Sequence, residues 1–344
     1  MNNTNHNNHL LDVLTREGVL INVSVRYWRA TKKLTPEDLG LNPDDITDRL
    51  ISLGHKRLLP RDKLEAFALI ETRAHALVQA NTFPFLGGLG HFLPNAKLQE
   101  LTSKLAELET EFNAQKRSFI DRYAQLREEA CREWRQAARL LVKDPDRLVA
   151  VIADSFPEAA RMESQFGFSV HLYQIAVPET IQLEMVRIGD QEQIARARAL
   201  AAESAAQLIR SEAEAFVAEC VATLRNETAR LCEQMLESIR SSKTGVHQKT
   251  LNRLIRFIEQ FKQMNFVGDA QMEAELERVR HQLLQRPADE YRQDDSARAS
   301  LQNGLRALAQ TARELAQQDT RELVERFGQM GQRRFNLQPD CKAA

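Results

Sequence analysis

Between residues 95 and 143 the chain carries no glycine or proline, and its apolar positions recur every three or four residues. Leu98, Leu101, Leu105, Leu108, Phe112, Phe119, Tyr123, Leu126, Ala130, Trp134, Ala137 and Leu141 form one stripe. That spacing predicts a long amphipathic helix, and its one-residue drift fits a nearly straight packed rod. At about 1.5 Å per residue the rod is roughly 70 Å long. A second rod is predicted from about residue 190 to 243. Its stripe of Ile194, Ala197, Ala201, Ala205, Leu208, Ala215, Cys220, Leu224, Leu231, Met235 and Ile239 is rich in alanine. Small residues permit close helix approach, so the two rods are expected to pack antiparallel.

Two other segments alternate with a period of two. Residues 18–31 set Leu20, Asn22 and Ser24 against Ile21, Val23 and Val25. Residues 166–179 set Phe168, Val170 and Leu172 against Ser169, His171 and Tyr173. Both read as strands. A helix over 61–81 places Leu64, Phe67, Ala68, Ile70, Ala74, Leu77 and Val78 on one face. Pro36 and Pro43 follow the capping candidates Thr35 and Asn42, and Pro145 opens a short helix after the first rod. Three amphipathic helices are expected at about 246–265, 269–286 and 294–328. The predicted fold is mainly α: an elongated antiparallel, coiled-coil-like bundle of long helices with a small β element at one end. Its divisions are a tail at 1–10, a strand and short helices at 11–60, and a two-rod bundle at 61–245. That bundle contains the apolar turn 83–94 and the strand region 166–178. Helices at 246–330 and a tail at 331–344 complete the chain.

The segment 81–101 departs from both periods. It gathers Phe83, Phe85, Leu86, Leu89, Phe92 and Leu93 around Gly87, Gly88 and Gly90, with Pro84 and Pro94 near its ends. The glycines lack the Lys-Ser/Thr that a phosphate-cradling loop needs after a strand. The apolar stretch is too short for a helical membrane span and is interrupted by His91. It reads first as a structural turn packed on the strands near Ile21 and Val170, with glycine allowing close backbone approach. The same six side chains are the candidate interaction tip, either for a partner protein or for a membrane.

Composition narrows the chemistry. The 344 residues contain 47 Lys plus Arg against 48 Asp plus Glu, so no global field recruits a polyanion. Aromatics are 6% and charged residues 28%, a balance that favours long helices. The start has no basic region followed by an apolar run, so no signal peptide is expected, and no stretch is apolar enough to span a bilayer. The four cysteines are scattered without a CxxC pair, which gives neither a zinc site nor a disulfide framework, and a reduced cytoplasmic setting is expected. The eight histidines form no HxxxH or HExxH pair, and no GxSxG or glycine-rich dinucleotide fingerprint occurs. No catalytic, metal or cofactor residues are therefore assigned, and an enzyme is not expected. Lys249, Arg253 and Arg256 share one face of the 246–265 helix, opposite Leu251, Leu254, Ile255 and Ile258. Such a stripe can follow phosphates, although an ordinary polar helix face has the same pattern.

The strand of 18–26 followed by "YWRATKKLTPEDLGL", the "LPRDKL" helix start, the "FPFLGGLGHFLP" turn and "FGFSVHLYQIAVPE" occur in this order. In that combination the chain resembles a bacterial family of unknown function, over roughly residues 10–330. Its members are mostly helical proteins of phages, plasmids and integrative elements, often encoded near a MoxR-type AAA+ ATPase and a von Willebrand factor A domain protein. The resemblance implies no catalytic residues. It implies a mobile-element setting and a protein partner, either one of those two proteins or a second copy of the chain. The expectation is thus a non-enzymatic scaffold or adaptor. A pore former using residues 83–93 as a membrane tip and a nucleic-acid accessory factor are the alternatives.

Overall fold

A computed structural model describes residues 10–11, 13–41, 53–85, 90–174, 191–242, 245–318 and 320–335. The chain is mainly helical and carries a small antiparallel sheet. It forms two compact units, and each is discontinuous in sequence. The first comprises Met1–Ile21, Asn81–Gln99 and Leu172–Ala344; the second comprises Asn22–Ala80 and Glu100–His171.

Both units draw on strand β1 (Gly18–Arg26). The second unit then contains β2 (Thr31–Lys33), β3 (His55–Arg57) and helix α1 (Glu65–Asn81) up to Ala80. Next come β4 (Phe83–Phe85) and β5 (Gly90–Pro94) of the first unit, then α2 (Asn95–Asp121) and α3 (Tyr123–Leu141). The predicted first rod is thus two helices, interrupted at Arg122, where the backbone stands at φ −97° and ψ 2°. Asp144 caps α4 (Pro145–Asp154) by accepting from the Arg147 backbone N–H at 3.1 Å. A single turn α5 (Ala159–Met162) leads to β6 (Gly167–Tyr173). The expected strand matches β6 as far as Tyr173; residues 175–179 lie outside the described residues. Strands β4, β5, β1 and β6 form one sheet in that order, and β2 and β3 form a separate two-stranded ribbon.

The second rod is α6 (Gln191–Ser241), close to its predicted bounds. It is followed by α7 (Gln248–Met264), α8 (Ala270–Leu283), α9 (Ala288–Gln293), α10 (Asp295–Gln317) and α11 (Arg321–Phe335). The expected final helix is therefore divided, with α10 ending at Gln317 and α11 starting at Arg321, and α9 is an additional short helix.

In the first unit α6 packs chiefly against α10, and α8 covers α10 in turn. Val217, Cys220, Val221, Cys232 and Met235 of α6 meet Leu301, Leu305, Leu308 and Ala312 of α10 in one core. A Cβ on Gly304 would fall 2.0 Å from Leu283 Cδ1, so α10 and α8 approach as closely as a glycine allows. One buried ion pair crosses this core. Arg225 of α6 donates through Nε to Asp269 Oδ2 at 2.7 Å and through Nη1 to the Leu315 carbonyl at 2.6 Å. Asp269 also caps α8, accepting from the Met272 N–H at 3.2 Å.

The second unit is held by aromatic rings. Trp28 meets Phe119, Tyr123 and Phe156, while Phe67 stacks on Tyr27 and touches Phe112, Phe119 and Phe166. Such ring pairs contribute beyond the area they bury. Asp38 and Lys56 form a second buried pair, with Nζ 2.6 Å from both carboxylate oxygens. Asp38 also accepts from the Thr35 backbone N–H at 2.8 Å. Burial pushes the Asp38 carboxyl up, but the Lys56 ammonium and the Thr35 N–H outweigh it and hold the group below its ordinary value.

Candidate protein-docking site

The turn that dominated the sequence is a β-hairpin. Strands β4 and β5 pair Phe83 with Phe92, Pro84 with His91 and Phe85 with Gly90. Strand β5 then pairs with β1, from Gly18 opposite Pro94 to Ile21 opposite His91. Gly18 is required here, because a Cβ would stand 2.5 Å from both the Leu93 carbonyl oxygen and Phe92 Cζ. Phe83, Phe85, Phe92 and Leu93 are all buried. Phe85 and Phe92 set their edges against Phe216 at 4.8 and 5.5 Å, and Phe266 receives both Phe83 and Phe92. These four members of the expected interaction tip are therefore not exposed, and Phe83, Phe85 and Phe92 belong to the first unit's core; Leu86 and Leu89 lie outside the described residues.

The basic stripe sits on the exposed side of α7, opposite the buried Leu251, Leu254 and Ile258. Arg253 donates to the Gln234 side chain at 2.7 Å, and Arg256 reaches back to the Asn252 carbonyl at 3.3 Å. Two of its three cations are thus engaged locally, and Lys249 is exposed.

Candidate chemistry is sparse. Among the described residues no three His, Cys, Asp or Glu side chains converge as metal ligands. Burial pushes the Cys220 thiol well above its ordinary value and that of Cys232 up to about 12. The Tyr123 hydroxyl, which donates to the Pro157 carbonyl at 2.7 Å, is raised by burial to about 12 as well.

An open apolar surface is found instead on the second unit. On α3 the positions of Ala130, Trp134, Ala137 and Leu141 share one face. Trp134 is fixed by its indole Nε1, which donates to the Arg57 carbonyl at 2.9 Å. The alanines are too small to fill the space beside it, so a hollow of about 330 Å³ remains between α3 and the segment 57–60. Its wall includes Leu58, Leu59, Pro60, Trp134, Ala137 and Leu141. Next to it, at the end of α3, Leu140 is 90% exposed and Leu141 59% exposed. Two adjacent leucines stand about 100° apart on a helix, so one core cannot cover both. Their succession is a signal in the sequence, but it speaks only of an uncovered leucine and not of the hollow beside it. The stripe reading took Leu141 as interior packing, because periodicity identifies a face and not what covers it.

Arg57 and Leu59 also line a broader, more polar cleft of about 1000 Å³. Across it Arg29 donates to both Glu71 oxygens, at 3.0 and 2.7 Å, with its guanidinium 3.9 Å above the Tyr27 ring. This bidentate pair fixes one wall. Arg61, Asp62 and Glu65 lie on another part of the lining.

A family model described as "Protein of unknown function (DUF3150)" matches residues 15–310, and the chain belongs to that family. No curated protein and no solved structure matches the chain.

Proposed function

We propose that this DUF3150 chain is a non-enzymatic helical adaptor, acting through protein–protein contacts made at the hollow beside α3. The carrying observation is the exposed Leu140–Leu141 pair beside an apolar hollow whose Trp134 is already held in place. Fixed aromatic and aliphatic groups at a partly formed pocket are the usual anchors of protein interfaces, because little side-chain freedom is lost when a partner covers them. In this reading α2 and α3 are the rods of a coiled-coil-like framework that displays the docking surface. The partner is a MoxR-type AAA+ ATPase or a von Willebrand factor A domain protein of a mobile element, met in the cytoplasm. The support for that setting is the resemblance carried by the strand, turn and helix-start segments. The burial of Phe83, Phe85 and Phe92 removes the motive for a membrane tip. No helix among the described residues is long and apolar enough to cross a membrane.

The test is co-expression of the full chain with each of the two partner proteins, read by size-exclusion light scattering. A defined complex is expected with at least one of them. It should be lost with Ala137→Arg or Leu140→Asp, both of which leave the buried cores untouched. The absence of any complex sensitive to these substitutions refutes the adaptor reading at this surface.

A further inference from the structure

Around the hollow the charge is not evenly balanced. Strands β2 and β3 place Thr31 opposite Arg57, Lys32 opposite Lys56 and Lys33 opposite His55. Some of the cations in this neighbourhood are engaged: Lys56 with Asp38, Arg29 with Glu71, and Lys63 with Asp62. Lys32, Lys33, Arg57 and Arg61 have no acidic partner among the described residues. In an antiparallel ribbon, residues two apart share a face, so Lys33 and Arg57 lie on the same side of it. Arg57 is at once part of this cationic face and part of the wall of the apolar hollow.

We propose that the hollow receives a short protein segment that carries a large apolar anchor flanked by acidic residues. The inference rests on the docking reading above and names the chemistry of what docks. The apolar anchor fills the space left by Ala130 and Ala137 against Trp134, and covers Leu141. Carboxylates beside it meet the Arg57 and Arg61 guanidiniums, whose N–H groups donate to a carboxylate in fork geometry. Glu133, on the α3 side of the hollow, repels an acid placed there and so directs the carboxylates towards the ribbon. A nucleic acid fits less well. Leu58, Leu59, Pro60 and Trp134 offer an apolar anchor a surface to bury and offer nothing to a phosphate.

The experiment is selection of a random dodecapeptide display library on the full chain. Enriched peptides are then labelled and measured by fluorescence anisotropy at low and high salt. The expected consensus has one or two large apolar residues next to Asp or Glu. Binding should weaken by roughly tenfold with the double substitution Arg57→Glu and Arg61→Glu, and with added salt, as expected for rim charges. The neutral pair Arg57→Gln and Arg61→Gln should show the same direction with a smaller loss. Filling the hollow with Ala137→Arg should remove binding of every selected peptide. Apolar peptides without acidic bias, lost with Ala137→Arg and indifferent to the arginine variants, overturn the inference while leaving the docking site in place. Absence of any peptide sensitive to Ala137→Arg overturns both. A labelled DNA duplex that binds and is lost on the arginine reversals but not on Ala137→Arg also overturns it, because the cations then serve a nucleic acid. Thermal melts of each variant identify any that fail to fold.

Discussion

Replacing Arg225 by methionine probes how the long helix α6 is held in the first unit. The arginine is 3% exposed and Asp269 2% exposed, so neither charge is screened appreciably by water. Methionine has comparable length but no donors. The Asp269 carboxylate is left buried without its counter-charge, and breaking such a pair costs about 3–5 kcal/mol. The Leu315 carbonyl at the end of α10 loses one of its two donors as well and keeps the Gln318 N–H at 3.2 Å, a further cost of about 1 kcal/mol. The expected total of about 4–6 kcal/mol rivals the whole stability of many domains. Adding Asp269→Asn to Arg225→Met removes the stranded charge and preserves an oxygen to cap α8. The double variant should therefore recover about 2 kcal/mol relative to Arg225→Met, a non-additivity typical of contacting groups. Because the chain has two units, a single unfolding midpoint is not a safe measure. Hydrogen exchange of amides in α6, α8 and α10 over a urea series reads this unit directly. A loss below about 1 kcal/mol, or a double variant no more stable than Arg225→Met, refutes the claim that this pair fastens the three helices.

Gly18→Ala should weaken β1–β5 pairing through its clash with a backbone oxygen; a cost of about 1–3 kcal/mol and faster exchange in β5 are expected. Asp38 has a depressed folded value, so its stabilising effect is present above the ordinary carboxylate range and is lost as pH falls through the folded value. Asp38→Asn should lower the second unit's stability near neutral pH and flatten its decline below about pH 4, as acid titrations of stability would show. A thiol-reactive dye should label the half-buried Cys131 in the native chain and reach Cys220 and Cys232 only in denaturant. Liposomes should retain entrapped dye in the presence of the native chain, because the hairpin phenylalanines are committed to a core; leakage abolished by Phe85→Asp in a folded variant contradicts that assignment.

The long helices were legible because their stripes persist over many turns without a breaker. Even so, the arrest at Arg122 had no marker: neither glycine nor proline stands near it. Strand β1 was legible from its strict alternation. The hairpin was recognised as a packed turn, but its pairing was not read, since Phe83 and Phe85 alternate over too few residues to establish a strand. The α6 stripe was partly misplaced. Leu208 is exposed and so is Ala215, while Ala213 and Phe216 are buried. An alanine-rich helix has a weak amphipathic signal, and the helix that covers it, α10, begins more than fifty residues after α6 ends. The hollow beside α3 was illegible for a related reason. It is made by what two alanines leave empty beside a segment seventy residues earlier, and no local pattern records an absence of that kind.

The interleaving of the two units sets an order of events during synthesis. Phe85 and Phe92 leave the ribosome well before Phe216, the ring that receives both of them. At about 5–20 residues per second, the roughly 120 intervening residues take on the order of 6–25 s to make. Leu10 waits still longer, since it lies against Gly328 near the other end of the chain. Throughout that interval the nascent hairpin displays its phenylalanines to water. The first unit is therefore completed only after its last helices have emerged, and a chain halted within α6 presents that hairpin to whatever holds unfolded chains in the cell.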